Sequence, residues 1–554
     1  MKSISLIFLL SIVSFNLLAD TNTLDKSKTA AVDKIFSEWD KANTPGCGLG
    51  IIKDGEFIYS RGYGMANLEY DIPNNSQSVF RIGSTSKQFT AASIVLLIEK
   101  GKLSFDDTLD VFFPGFPDYA KQITVRHLLN HTSGMRDYLS IAYLKGLQDD
   151  DYYTDKDVLH WLTHQSELNF TPGDEFVYSN SGYWLLGQIV NQVAKMSMTE
   201  FAKQEIFKPL GMSQTHFHND HSLIVKNRAS GYMPRDENTF QISMTTLNMI
   251  GDGGVFTSID DIKKWDDAYY QSNVLSRDFW KMMTKTGKLN NDEAIDYASG
   301  LIVSDYNGLQ TVSHGGSFVG FRAEILRFPE HKFSVVIFTN RGDANPSGMA
   351  LKVADVFLSD QYVAEAKSPS ATNTAINDRV FRSEELVGNY ELQSGMAIKI
   401  SSLNDKVHAK ESWNDEAYEL IKDALNSYSI AGADDIKFTF TGFKEHATQK
   451  ILIEQRGRTS QWQRKEEVDL SSIQVQDYVG TYYSSELDVT YEISMYEGTI
   501  KLQVNNGDPG KLYLANKDLL TYQGSLLQFS RKNDKINDFV MDAGRVKNLR
   551  FVKK

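Results

Sequence analysis

Ser84-Thr85-Ser86-Lys87 sets a hydroxyl and an ammonium three residues apart, at the head of an apolar run formed by Phe89, Ala91, Ala92, Ile94, Val95, Leu97 and Ile98. If that run is helical, positions three apart share a face and the two side chains can meet. A lysine drawn out of water loses part of the stabilisation of its charged form and can become a base. It can then take the serine proton and turn the hydroxyl into a nucleophile. The spacing alone decides nothing, since a chain of this size holds roughly two or three serine-x-x-lysine matches by chance. The competing reading makes Ser84 a helix cap, a role that serine fills well.

Two other clusters could join it. Tyr178 and Asn180 stand two apart in "DEFVYSNSGYWLL", just before a second helical pattern. His314-Gly315-Gly316 opens a strand in "TVSHGGSFVGFR", where the glycines would let a substrate lie against the backbone. Taken separately, Tyr178 reads equally as a core aromatic and His314 as a satisfied strand-edge histidine. "HFHNDH" gathers His216, His218, Asp220 and His221, yet no zinc signature such as H-E-x-x-H accompanies them, so a polar loop is expected and no metal site. His127 and His131 read as structural. The single cysteine, Cys47, excludes an intramolecular disulfide and reads as a small buried residue. No phosphate-binding glycine loop stands out, and no cofactor is expected.

The elements that must position these residues follow from pattern. Residues 48–62 read as two strands around Lys53-Asp54-Gly55, since aspartate-glycine between apolar runs favours a hairpin. Helical periodicity runs from about 84 to 101 and returns at "VRHLLNHTSG", "DVLHWLTHQ" and "SGYWLLGQIVNQVAK". Ser258 followed by Asp261 marks the start of another helix. Strands resume at "HGGSFVGFRAEILRF" and "FSVVIFTNR", with 329–331 turning between them. Strands, then helices, then strands suit an antiparallel sheet assembled from both ends of the segment, with helices packed on it.

After the small, polar stretch "AKSPSATNTAIND" at 366–378, strand patterns dominate. "LVGNY" at 386–390 is echoed by "YVGTY" at 478–482, the strand-turn-strand at Ser402 by that at Met495, and "RGR" ending at Arg458 by "AGR" ending at Arg545. The echoes fall in the same order, which predicts two small β-barrels or sandwiches in tandem. The expected division is a signal segment at 1–19, a catalytic domain at 20–365, a linker at 366–380, and β domains at 381–468 and 469–554.

Composition bounds the partners. The 554 residues carry a formal net charge of −13, with no Lys/Arg-rich block, which argues against nucleic acid or an anionic membrane. Lys2, the apolar run 4–18 and Ala19 have the form of a secretory signal cut before Asp20, which predicts a periplasmic or secreted protein with no integral span afterwards. The oligomeric state is open.

In their order, the three clusters resemble the serine β-lactamase and D-alanyl-D-alanine peptidase superfamily, and most nearly its class C-like branch. S-x-x-K is Ser84 to Lys87, Y-x-N is Tyr178 to Asn180, and the third motif is His314-Gly315-Gly316. "GKLSFDDTL", "ITVRHLLNHTSGM", "PLGM" and "GDGGVFTSIDDIKKW" add to the likeness, which covers about residues 30–360. The resemblance implies an α+β fold, with an antiparallel sheet flanked by helices and an all-helical region. It implies that Ser84 is acylated, that Lys87 is the base or holds it charged, and that Tyr178 shuttles the proton. Asn180, His314, Gly316 and Ser317 would contact substrate, with the N–H groups of Ser84 and Ser317 forming an oxyanion hole. Histidine at 314 departs from the lysine usual in β-lactamases and would weaken a clamp on a substrate carboxylate. It is instead similar to D-peptidases, D-aminopeptidases and esterases of the branch, and the D-aminopeptidases share the two trailing β domains. The implied activity is an exported D-amino-acid peptidase or amidase acting on small peptide, amide or ester substrates. Alternatives are a carboxylesterase, a weak β-lactamase, or a non-catalytic cell-wall peptide-binding or structural protein.

Overall fold

A computed structural model describes residues 26–148, 151–236, 239–363, 380–430, 433–455, 458–467 and 469–554. The expected signal segment and nearly all of the expected linker lie outside the described residues. Six strands form the central sheet: β1 (Cys47–Lys53), β2 (Glu56–Tyr63), β3 (Ile302–Tyr306), β4 (Leu309–Phe318), β5 (Phe321–Phe328) and β6 (Phe333–Thr339). Their order is β3-β4-β5-β6-β1-β2, and every neighbouring pair is antiparallel. The first and last parts of the segment therefore meet at mid-sheet, with Cys47 opposite Thr339. The β1–β2 hairpin turns at Asp54 and Gly55, at φ 52° and 82°, the paired positive values that aspartate-glycine tolerates.

One expectation needs correcting. "HGGSFVGFRAEILRF" is a hairpin, not a single strand, because the chain reverses at Val319-Gly320. Apolar alternation continues across the turn and hides it. Gly320 is what allows it, since a Cβ there would lie 2.2 Å from the Tyr232 nitrogen.

Five helices matter for the site: α1 (Lys26–Ile35), α2 (Lys87–Glu99), α3 (Asn180–Ala194), α4 (Ile259–Tyr270) and α5 (Pro346–Leu358). α1 and α5 cover one face of the sheet, where Val32, Val353 and Ala354 pack with Leu49, Val335 and Ile337. The alternate residues Val336 and Phe338 face the other way, into the core that holds α2 and α4. That two-residue split along a fully buried β6 is the pleat of a strand covered on both sides. α2 is buried at every residue from Lys87 to Leu97, as befits a helix surrounded by protein. At α4, Ser258 Oγ accepts the Asp261 N–H at 3.3 Å, so the hydroxyl cap forms. The Asp261 carboxylate turns instead to the Gln214 N–H and the Thr215 hydroxyl, at 2.7 and 2.9 Å.

Residues 388–465 form a closed eight-stranded barrel. In the second β domain the first and last strands also pair, Tyr482 facing Lys553. Its fourth strand breaks at Leu512. Gly510–Lys511 pairs with the strand before and Tyr513–Asn516 with the strand after. The echoed motifs fill equivalent positions. Tyr390 donates to the Leu386 carbonyl and Tyr482 to the Tyr478 carbonyl, each at 2.8 Å and four residues back. Beside them, Gly388 and Gly480 leave room for Arg464 and Lys553, whose cations lie 5.2 and 5.5 Å from the two tyrosine rings. The second β domain packs against the helix Tyr138–Leu144, where Tyr491 donates to the Leu144 carbonyl at 2.8 Å. A cavity of about 880 Å³ opens along that junction, lined in part by Ser140, Lys145, Val504 and Ala543.

Glu324 on β5 faces Gly315 and is buried, with the Ser347 hydroxyl donating to one carboxyl oxygen. Burial pushes it up to about 7 from the ordinary 4.5. The folded chain thus keeps a proton that the unfolded chain gives up near 4.5, so stability falls as pH rises from 4.5 through 7. The full loss is on the order of 3 kcal/mol. Glu324→Gln should remove that slope between pH 5 and pH 8 in urea unfolding. Equal slopes in the two proteins would contradict the assignment.

Candidate active site

The chain enters the site through Gly83, whose φ of 51° places it in the left-handed region. A Cβ there would come within 2.8 Å of the Ser317 nitrogen, so glycine is needed twice over. Gly83–Ser86 form one 3₁₀ turn that runs directly into α2. Ser84 makes no side-chain cap bond at either helix start. Its hydroxyl instead accepts from Lys87 Nζ at 3.2 Å. The capping alternative therefore fails on geometry.

Lys87 is fully buried, and its ammonium makes three hydrogen bonds. The other two run to Asn180 Oδ1 at 2.8 Å and to the Asp252 carbonyl at 2.6 Å. Three acceptors match the three N–H groups of an ammonium. In the neutral amine, the lone pair would instead face the Ser84 hydroxyl. Asn180, the first residue of α3, is held by its own N–H, which donates to Asp137 Oδ2 at 2.6 Å. Asp252 is anchored by the Tyr138 hydroxyl, which donates to its carboxylate at 2.9 Å, and burial raises that carboxyl above its ordinary value.

Tyr178 lies beside this lysine, with Lys87 Nζ 4.8 Å from its ring centroid. Its hydroxyl is buried and, among the described residues, has no hydrogen-bond partner. A buried hydroxyl without a partner is costly and calls for a water or a substrate atom. His131 packs against the Tyr178 ring at 4.1 Å between centroids, and its Nδ1 accepts the Ser179 N–H at 3.1 Å. Burial and Lys87 hold His131 far below the usual imidazole range. His131 thus supports the Tyr178 loop. His127 closes a capping box with Thr124.

The third cluster is placed differently from expectation. His314 is buried, with both ring nitrogens engaged. Nδ1 donates to the Gly315 carbonyl at 2.6 Å, since a carbonyl can only accept, so Nε2 accepts from the Tyr297 hydroxyl at 2.9 Å. Burial and Lys87 pull His314 down to about 4, and it is neutral at physiological pH. Gly316 is half-buried and packs closely on one side. A Cβ there would sit 2.0 Å from the Ile82 carbonyl and 2.7 Å from Thr85 Oγ1. The glycine lets β4 press on the turn that carries Ser84, and the Thr85 hydroxyl fastens it by donating to the His314 carbonyl at 3.2 Å. Ser317 is exposed, and its backbone nitrogen comes up beside Gly83.

Sequence reasoning missed three contributors: Asp137, Tyr297 and the Asp252 carbonyl. Asp252 lay within the quoted "GDGGVF" segment, but the lysine takes its backbone oxygen, to which residue type gives no clue. His216 Nε2 and His218 Nδ1 lie 3.2 Å apart, and His221 pairs with Asn248. Among the described residues no group of three or more His, Cys, Asp or Glu is placed to hold a metal. Cys47 is buried at the start of β1, and burial pushes its thiol well up.

The beta-lactamase family profile matches residues 32–357. The chain is 30% identical over 371 residues to penicillin-binding protein 4* of Bacillus subtilis, covering 64% of this chain and 81% of that one. It is 27% identical over 305 residues to a D-aminopeptidase of Gluconobacter oxydans, covering 54% of this chain and 56% of the relative. Its fold matches that of an octameric penicillin-binding protein homologue from Pyrococcus abyssi, with a TM-score of 0.55 at 22% identity, over 87% of this chain and 98% of that one. No helix among the described residues is long and apolar enough to cross a membrane. The convergence of the serine, lysine and tyrosine clusters on one pocket, under a family match that spans the sheet and its helices, makes this chain a member of the beta-lactamase family and a serine hydrolase.

Proposed function

We propose that Ser84 is the acylated nucleophile of an exported D-amino-acid peptidase or amidase. The observation that carries this reading is the convergence of buried Lys87 on Ser84 Oγ, Asn180 Oδ1 and the Asp252 carbonyl, beside an unpartnered Tyr178 hydroxyl. In the proposed cycle the Lys87–Tyr178 pair starts one proton short, as neutral amine beside tyrosine or ammonium beside tyrosinate, and takes the Ser84 Oγ proton as Oγ bonds to the substrate carbonyl carbon. The carbonyl oxygen gathers charge against the N–H groups of Ser84 and Ser317. The carbon–nitrogen bond then breaks, and Tyr178 Oη returns the proton to the leaving nitrogen. Water repeats the steps in reverse and frees the acid. Asn180 steadies Lys87 and meets the substrate amide. His314 serves through its backbone and through Tyr297, since a neutral, doubly bonded imidazole offers no charge to a ligand.

The preference for D-residues rests on the relatives, of which one is named a D-aminopeptidase. Export rests on the form of residues 1–19 and is checked by N-terminal sequencing of the mature protein, expected to begin at Asp20.

A fluorophosphonate probe should label wild-type protein at Ser84 and leave Ser84→Ala unlabelled. Label retained by Ser84→Ala would place the nucleophile elsewhere. Tyr178→Phe keeps the ring between its neighbours and removes only the proton relay. Its kcat on a D-alanine p-nitroanilide should fall by about 10²- to 10⁴-fold. A change below threefold would remove Tyr178 from the chemistry. Comparing kcat/KM across that anilide, a D-Ala-D-Ala peptide, p-nitrophenyl esters and nitrocefin decides among amidase, peptidase, esterase and β-lactamase.

A further inference from the structure

The last connection of the second β domain, Ala543–Asn548, reaches the catalytic site. It is bound there by main chain rather than by side chain. The Arg545 carbonyl accepts from the Asp137 N–H at 3.2 Å and from Asn169 Nδ2 at 2.9 Å. The Lys547 N–H donates to Asn169 Oδ1 at 2.8 Å. Arg136, almost fully buried, donates to the Lys547 and Asn548 carbonyls, each at 3.0 Å, and pairs with Glu486. Val546 is buried, and Lys547 Nζ pairs with Glu175 at 2.9 Å. None of these contacts uses the side chain of residue 545.

That side chain carries a long ion pair to Asp137 and lies over an aromatic ring. Its guanidinium lies 4.9 Å from the Tyr178 ring centroid, the ring that Lys87 Nζ also approaches, at 4.8 Å. Its nearest acid is Asp137 at 3.8 Å, beyond hydrogen-bond reach, and that carboxylate oxygen already receives the Asn180 N–H. Among the described residues no hydrogen bond reaches the guanidinium, and the side chain keeps 46% of its exposure. By contrast Lys87 has all three N–H groups engaged and His314 is neutral. Among the described residues at this site, Arg545 is the cation whose charged group has no hydrogen bond.

We propose that Arg545 binds a carboxylate on the leaving side of the substrate, so that the second β domain supplies the anion recognition that the histidine motif lacks. This rests on the reading of Ser84 and Tyr178 above. Tyr178 returns the proton to the leaving nitrogen, and the group on its ring therefore faces the leaving portion. In a leaving α-amino acid the carboxylate is two bonds from that nitrogen, and a guanidinium fork fits it in two parallel hydrogen bonds. The preferred substrates then end in a free carboxylate. A free ammonium in that position is repelled.

The test is competition against fluorophosphonate labelling of Ser84, using acetyl-D-Ala-D-Ala and its C-terminal carboxamide. A charge-assisted bond of this kind corresponds to about 10- to 100-fold in affinity. Wild-type protein should therefore be protected by the carboxylate at an at least ~10-fold lower concentration than by the carboxamide. Arg545→Ala should abolish that ratio and Arg545→Lys should restore part of it, with thermal unfolding checking that the loop remains docked. Equal protection by the two ligands in wild type, protection by neither, or a ratio unchanged in Arg545→Ala overturns the proposal. Failure of Ser84 to label at all is a separate result and overturns the nucleophile reading instead.

Discussion

A lysine ammonium without exposed surface, at the start of an apolar helix, is the constraint around which the site is arranged. A buried charge is tolerated only when its N–H groups are matched by acceptors. Here the acceptors come from three distant parts of the chain: a serine one turn back, an asparagine heading another helix, and a backbone carbonyl. Two of them have their own support: Asp137 accepts the Asn180 N–H, and Tyr138 holds the Asp252 carboxylate. Burial, reinforced by this charge, holds His131 and His314 below the usual imidazole range, and both serve as shaped, hydrogen-bonded supports for Tyr178 and β4. Close approach of the Ser84 turn to β4 is permitted by Gly83 on one side and Gly316 on the other.

The second β domain is part of this arrangement. It meets the catalytic domain through the buried Arg136–Glu486 pair, through Tyr491 on the Leu144 carbonyl, and through the 543–548 connection. The apolar cores of the two units are continuous. In sequence, "RGR" ending at Arg458 stands against "AGR" ending at Arg545. The shared features, a tyrosine bonded four residues back and a glycine making room for a cation over that ring, belong to the barrel itself.

Much of this was legible in residue order. The β1–β2 hairpin follows from Asp54-Gly55, the start of α4 from Ser258, and the duplicated barrels from their echoed motifs, because each depends on contacts within a few residues. The turn at Val319-Gly320 was not legible, since apolar alternation continues through it and the need for glycine comes from Tyr232, far away in sequence. The residue types at 84, 87, 178 and 180 and their order identified the chemistry available. The sequence could not say that Ser84 is free of capping duty, that the Tyr178 hydroxyl lacks a partner, or that Gly316 packs against Ile82.

By itself, then, the sequence determined which groups could react and which local elements carry them, because helix spacing, turn chemistry and strand alternation are short-range. The tertiary structure alone decided their state. Burial fixes which groups hold charge, so His314 became a neutral brace. Long-range packing fixes what faces the pocket, and it brought Arg545, more than three hundred residues after Tyr178, onto that tyrosine ring.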